Sequence, residues 1–322
     1  GSPKGVMVSQ ANIINLLFSL KRILELSPDE TFLSITAPSF DIHVTELYLP
    51  LVTGSKIAFI AWEEIHTPTK LSNMQENHNV TVMQATPATW QLLIDTDWQP
   101  DRQLKMITGG DHLSMSLKDA LLTHDARLFN LYGPSEAAVY CAGAEMHIQD
   151  KSIHIGYPIP NNRLYVLDEA KKPVKLGEIG ELYVAGANVG LGYLNNPALT
   201  QLKFTQDPFV DHHNAKKRMY QTGDLAIQRD DGAIELAGRA DFQIKINGFR
   251  IEAGEIEHCI LSHQGITQAL VVQQQDESAG DLIIAYIIPN KASLSQTESL
   301  IKDLKVRLAT SLPTYMQPSL IM

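Results

Sequence analysis

Asn130-Leu131-Tyr132-Gly133-Pro134-Ser135-Glu136 gathers a flat ring, a turn and two oxygen-bearing side chains into one short stretch. It follows a strand-like run, Arg127–Leu128, and so falls at the C-terminal end of a strand. Open α/β sheets bind ligands at that edge. Tyr132 offers a face to a purine, Gly133-Pro134 set the turn, and Ser135 and Glu136 supply oxygens. A carboxylate near a triphosphate is a natural Mg²⁺ ligand. The plainer alternative is a polar loop with a buried tyrosine.

Upstream, apolar residues recur at helical spacing from Ala11 to Leu26, with Ser9 as N-cap. Apolar runs at Lys56–Ile60, Val80–Gln84 and Leu104–Thr108 are separated by helix-like stretches such as Ser116–His124. This alternation predicts a mostly parallel sheet covered on both faces. From about Tyr157 the pattern becomes strands joined by turns, at Arg163–Leu167, Glu181–Ala185, Leu225–Gln228 and Ile234–Ala237. Asp231-Gly232 suits a hairpin turn, because glycine accepts positive φ. Near Asp241 a third pattern starts: two strands around Asn247-Gly248, a helix, two strands and a helix. The expectation is an α/β chain in two domains. A large N-terminal core, 1–240, joins a parallel α/β subdomain to an antiparallel β subdomain. A small, mobile α+β subdomain, 241–322, follows it.

The chain has 322 residues and a formal net charge of −10. That charge argues against a general nucleic-acid binder, which needs clustered Lys and Arg. A nucleotide ligand stays open, since backbone N–H groups and a metal ion can meet its phosphates. Cys141 and Cys259 lie far apart, without metal-type spacing, as expected of a cytoplasmic protein. No apolar run reaches membrane-spanning length and no secretory signal opens the chain, so no membrane partner is expected. The chain opens at Gly1-Ser2-Pro3-Lys4-Gly5, without Met, as if cut from something longer.

Other stretches carry weaker signals. Pro3-Lys4-Gly5 combines a turn with a cation for phosphate, although such tripeptides are common turns. Tyr220-Gln221-Thr222-Gly223-Asp224 ends in a carboxylate suited to ribose hydroxyls, or in a simple turn aspartate. Arg239 and Asp241 lie together at a strand end, and Lys245, Gly248, Arg250 and Glu252 form a charged hairpin.

Order and spacing together are far more specific. The chain resembles the adenylation domains of non-ribosomal peptide synthetases, in the superfamily that includes acyl-CoA ligases and luciferases. The resemblance runs from the first residue to the last. It rests on Ser2–Val6, Phe40-Asp41, Gly109-Gly110-Asp111, Asn130–Glu136, Gly180–Leu182 through Gly192–Leu194, Tyr220–Leu225 and Gly238–Glu257. It implies an enzyme that makes aminoacyl-AMP from ATP and an amino acid, with Mg²⁺. The aminoacyl group then passes to the phosphopantetheine thiol of a peptidyl carrier protein, beside condensation and other synthetase modules.

The resemblance also implies residue roles. Tyr132 would stack on adenine, with Gly109 and Gly110 lining the other side and Asp111, Asn130, Gly133 and Ser135 around the nucleotide. Glu136 would bind Mg²⁺, and Lys4 would meet phosphate as a second catalytic group. Asp224 and Arg239 would take the ribose. Asp41 would pair with the substrate ammonium, in a pocket of Ile42, Thr45, Ala85, Ile107, Gly109, Leu131, Val139 and Tyr140. Ala85 and Gly109 would leave room, and the absence of pocket charge would favour a neutral or aromatic amino acid. Asp241 would be a hinge, and Lys245 and Gly248 would line a pantetheine tunnel.

Gln221 and Leu191 stand where the family usually has arginine. The family's catalytic lysine follows the stretch matched by Leu312–Pro318, and no residue here takes its place, so the fragment alone is expected to adenylate poorly. The alternatives are an acyl- or aryl-CoA ligase and a catalytically inactive scaffold. Asp41 and Arg250–Glu255 speak against the first, and Glu136, Asp224 and Arg239 against the second.

Overall fold

A computed structural model describes residues 4–65, 67–96, 98–101, 103–123, 126–210, 218–240, 243–246, 249–276, 280–290 and 297–322. The chain divides into two units, Lys4–Ala240 and Asp241–Met322.

The first unit opens with β1 (Val6–Met7) and α1 (Gln10–Ile23). Ser9 caps α1 in a reciprocal capping box with Asn12. Then follow β2 (Thr31–Ser34), α2 (His43–Thr53), β3 (Lys56–Phe59), α3 (Pro68–Asn77), β4 (Val82–Ala85) and α4 (Pro87–Ile94). Next come β5 (Lys105–Thr108), α5 (Met115–Leu121), β6 (Arg127–Tyr132), β7 (Ala142–Met146) and β8 (Tyr157–Pro158). These strands make a seven-stranded sheet, ordered β3-β2-β4-β5-β6-β7-β8. It is parallel from β3 to β6 and antiparallel at β7 and β8.

Successive residues of the central strands enter opposite cores, as period-2 geometry requires. Leu33, Met83, Met106 and Leu128 pack with Leu71, Trp90 and Leu117 from α3, α4 and α5. Phe32, Val82, Ile107 and Phe129 pack with Leu16, Leu20 and Leu49 from α1 and α2. Both faces are therefore apolar, and the strands read as continuous hydrophobic runs. Lys118, fully buried on α5, is neutralised by Asp119 at 3.0 Å and donates to the Asp150 carbonyl at 2.7 Å. It ties the β7–β8 connection to the helix layer.

The rest of the unit is β9 (Asn162–Leu167), β10 (Ile179–Gly186), β11 (Gly192–Tyr193), α6 (Pro197–Lys203), β12 (Phe204–Gln206), β13 (Arg218–Gln228) and β14 (Ile234–Arg239). β12-β13-β10-β9 run antiparallel, with β14 also on β13. β11 pairs separately with β1. Tyr132 joins Leu182, Val184 and Tyr220 in one core, so β6 touches both sheets.

The second unit holds β15 (Gln243–Ile246), β16 (Phe249–Glu252), α7 (Ala253–Leu261), β17 (Ile266–Asp276), β18 (Gly280–Pro289), α8 (Thr297–Ser311) and β19 (Leu320–Ile321). β15 pairs with β16, and β17-β18-β19 form a second sheet. Leu300, Leu304 and Leu308 of α8 and Ile256 and Ile260 of α7 close its core at helical spacing.

Two stretches differ from their sequence reading. The β6 strand is longer than Arg127–Leu128 and includes Asn130, Leu131 and Tyr132, so only Gly133 onward is loop. Tyr220–Asp224 is no turn but the middle of β13. Tyr183 pairs with Gln221 and Glu181 with Leu225, so β13 carries two more residues than β10 there. Gly223, at φ 78°, makes that bulge possible. Thr222 stitches it, donating to the Leu182 carbonyl at 2.7 Å and accepting from the Asp224 N–H at 3.0 Å.

Candidate active site

The chain first crosses the parallel sheet at β2, adds β3 on one side and then β4 on the other. That reversal makes the C-terminal edge of β2 and β4 the switch point where such sheets bind ligands. Four connections leave this edge: residues 35–42 after β2, Thr86 after β4, Gly109-Gly110-Asp111 after β5 and Gly133–Glu136 after β6. Most of the site residues read from the sequence lie on them or on the strand ends beside them.

Tyr132, Asp224 and Arg239 form one buried cluster. The Tyr132 hydroxyl donates to one Asp224 oxygen and Arg239 donates to the other. Asp224 and Arg239 are also cross-strand partners. Burial and the Asp224 charge push the Tyr132 phenol well up, so it stays a neutral donor. Asn130 gives its amide to the His154 carbonyl at 2.8 Å. Gly110, at φ 83°, leaves space into which the Phe40 ring faces. Asp111 caps its own loop, accepting from the His112 N–H at 2.8 Å.

A second cluster surrounds Glu136 and Asp41. Ser135 donates to Asp41, joining the connection after β6 to the one after β2. Burial pushes the Asp41 carboxyl up, the Ser135 hydrogen bond pulls it back, and the Glu136 charge raises it further. Among the described residues no Lys or Arg pairs with Asp41. Glu136 is almost fully buried and accepts from the Tyr193 hydroxyl at 2.7 Å. Glu136, almost fully buried, and Asp41, half-buried, are thus two neighbouring carboxylates whose charges oppose one another. Among the described residues no group of three or more metal-type side chains exists.

The chain beyond Glu136 is strained. Ala138 and Val139 both have positive φ, at 52° and 74°. Tyr140 N–H closes a three-residue turn onto the Ala138 carbonyl at 3.0 Å. A β-branched residue there costs about 1–3 kcal/mol. The turn delivers Tyr140 inward, where it is fully buried.

Ile42, Ile107, Leu131, Val139 and Tyr140 belong to the core on the α1–α2 face. Ala85 does not: it lies in the opposite core, against α3–α5. Its assignment to the pocket is corrected to Gln84, because moving one residue along a strand changes the face. Gln84 accepts from Thr45 at 2.7 Å and from the Tyr140 hydroxyl at 3.2 Å. It donates to the Ile42 carbonyl at 3.0 Å and to Glu46 at 3.3 Å. The expectation that Gly109 leaves room is corrected as well. A Cβ there would stand 2.8 Å from the Tyr140 ring and 2.7 Å from the Leu131 carbonyl, so Tyr140 already fills that space.

Lys4 is exposed, just before β1. Asp241 and Gly248 lie outside the described residues, and of Lys245 only the strand backbone is described. Sequence reasoning missed Gln84, Glu46, Thr222 and Tyr193. Thr222 and Tyr193 lay inside quoted motifs without being singled out, Gln84 had a signal as a polar residue ending a largely apolar strand run, and Glu46 had none.

A doubly wound sheet with a carboxylate-rich switch point and a polar cluster reaching from a neighbouring antiparallel sheet defines a nucleotide-dependent enzyme. The chain belongs to the AMP-binding enzyme family, whose model matches residues 1–194, with the AMP-binding enzyme C-terminal domain at 255–322. It is 39% identical over 320 residues to a dimodular nonribosomal peptide synthase of Bacillus subtilis, covering 99% of this chain and 13% of that protein. It is 35% identical to bacitracin synthase 3 of Bacillus licheniformis, covering 100% and 5%. A four-domain nonribosomal peptide synthetase bound to AMP and glycine superposes with TM-score 0.71 at 35% identity, covering 100% of this chain and 24% of the other. A variant of the o-succinylbenzoate CoA synthetase of Bacillus subtilis superposes with TM-score 0.87 at 19% identity, covering 100% and 63%. That last likeness concerns the fold alone. Among the described residues no helix is long and apolar enough to cross a membrane.

Proposed function

We propose that this chain is the amino-acid-activating unit of a nonribosomal peptide synthetase and that its substrate is a small amino acid, glycine first. The observation that carries the proposal is Asp41, a half-buried carboxylate whose pKa is raised by desolvation, bonded to Ser135 and with no Lys or Arg paired to it among the described residues. An α-ammonium supplies the missing charge, which a plain carboxylic acid cannot. The space a larger side chain would need is taken by Tyr140 against Gly109, held by Gln84. This replaces the preference for an aromatic substrate. It also agrees with the glycine bound by the relative of known structure.

In this reading Tyr132, Asp224 and Arg239 hold the adenosine, with Arg239 bonded to one Asp224 oxygen and the carboxylate turned to the ribose. Asp41 orients the amino acid so that its carboxylate attacks the α-phosphate in line, and pyrophosphate leaves. Ser135 spans the two halves and keeps the reacting groups at a fixed separation, the main protein contribution to such a displacement. Glu136 would hold Mg²⁺, which would supply charge neutralisation on the phosphates. The adenylate is then taken by the phosphopantetheine thiol of a carrier protein.

Amino-acid-dependent ATP–pyrophosphate exchange tests this, with the chain inside its full-length polypeptide. Exchange is expected with glycine, weaker with alanine, and lost in Asp41→Ala. Exchange only with an acid lacking the amino group would move the protein to the CoA ligases. No exchange from a folded protein would favour a scaffold.

A further inference from the structure

Glu46 is a buried carboxylate on α2 that the reaction does not use. Its side chain is 1% exposed. One oxygen accepts from the N–H groups of Ile35 and Thr36, both at 3.0 Å, and from the Ser34 hydroxyl at 3.1 Å. The other accepts from the Thr36 hydroxyl at 2.5 Å and from the Gln84 amide at 3.3 Å. His43 lies 3.7 Å away. The carboxylate thus ties down the end of β2, where the connection to Asp41 begins, and reaches across to β4.

The polarity of these bonds matters more than their number. An ionised carboxylate only accepts, so it turns the NH₂ group of Gln84 toward itself. The Gln84 oxygen must then face the other way, where the Thr45 and Tyr140 hydroxyls donate to it. Tyr140 is thereby held with its ring beside Gly109. A side chain that touches no substrate fixes the orientation of the one that fills the pocket.

We propose that Glu46 is the positioning residue of the amino-acid pocket, acting through Gln84 on Tyr140 to set the substrate size the pocket admits. The proposal rests on the amino-acid reading above. Burial pushes the Glu46 carboxyl up while its Thr36 and Ser34 bonds pull it down. Replacement by glutamine keeps the shape but puts an NH₂ group where an acceptor is needed, against either the backbone N–H groups or Gln84.

The test is a double-mutant cycle on pyrophosphate exchange, with Glu46→Gln, Tyr140→Phe and the pair, using glycine and alanine with ATP. Glu46→Gln is expected to raise the glycine KM on the order of tenfold and to narrow the preference for glycine over alanine, with the ATP KM within about twofold. The double variant should be little worse than Glu46→Gln alone, a coupling of at least about threefold. Additive effects, or an ATP KM that rises in step with the glycine KM, would overturn the role. If Glu46→Gln does not fold, Gln84→Leu cuts the same link while leaving the Glu46 carboxylate bonded to the end of β2. It must then be non-additive with Tyr140→Phe, and additivity there sinks the proposal equally. A wild-type protein without exchange on any amino acid overturns the functional reading itself. Exchange by the wild type with additive variants overturns only the role of Glu46.

Discussion

The seven-stranded sheet offers the site its strand ends, whereas the five-stranded sheet offers residues from the middle of a strand. Asp41, Gly109 and Glu136 sit on connections that leave the parallel edge. Thr222 and Asp224 sit inside β13, laddered on both sides and re-aimed by a bulge. Connections can change shape at little cost to the sheet. A mid-strand bulge cannot, since its bonds belong to the ladder. In the proposed reading the first sheet carries selectivity for the amino acid, and the second contributes the Asp224–Arg239 pair that takes the ribose.

The largest effect is expected where the second sheet is cut. Arg239→Met leaves Asp224 buried without its cation and should cost about 3 kcal/mol of stability, read as a shifted denaturation midpoint. Gly109→Ala, on the first sheet, forces a Cβ against the Leu131 carbonyl and the Tyr140 ring, costing about 1–3 kcal/mol. Its activity loss should fall on the amino acid and spare ATP. Thr222→Val removes the stitch of the bulge and should cost about 1 kcal/mol. That variant should raise the ATP KM more than the glycine KM, the reverse of Gly109→Ala, and an equal rise in both would blur the division.

Acid should separate the halves too. The Asp41 pKa is raised above the ordinary 3.8, so the folded state favours the protonated carboxyl. Its contribution to stability is therefore lost as pH rises through the window from 3.8 to that raised value. Ammonium binding needs the ionised form, so glycine affinity should fall as pH drops through the raised pKa. ATP affinity should not follow it, and Asp41→Asn should abolish this limb. The smallest effect is expected of Val139→Gly. Relief of strain and the added freedom of the unfolded chain oppose one another, leaving stability within about 1 kcal/mol. Discrimination against alanine should weaken as Tyr140 loosens.

Much of the site was legible because its motifs coincide with strand ends, where turn residues and polar side chains interrupt apolar runs. Tyr132 and Glu136 stand out in this way. Ala85 was taken for Gln84 because Val80–Gln84 is buried on both faces and shows no alternation to tell them apart. Tyr220–Asp224 was read beside a turn because glycine at positive φ marks turns and bulges alike. Glu46 had no local signal, since its partners at 34–36 and 84 meet only once β2 and β4 lie side by side. Tyr193 is 57 residues from Glu136, and only the β1–β11 pair and its neighbours bring it there.

The division between the sheets is tested most directly by measuring the KM for glycine and for ATP in Asp41→Asn and Asp224→Asn. Removing either charge should cost about 2–3 kcal/mol of binding, a rise of roughly 30- to 150-fold. The account predicts that Asp41→Asn raises only the glycine KM and Asp224→Asn only the ATP KM. Both constants rising together in either variant would contradict it.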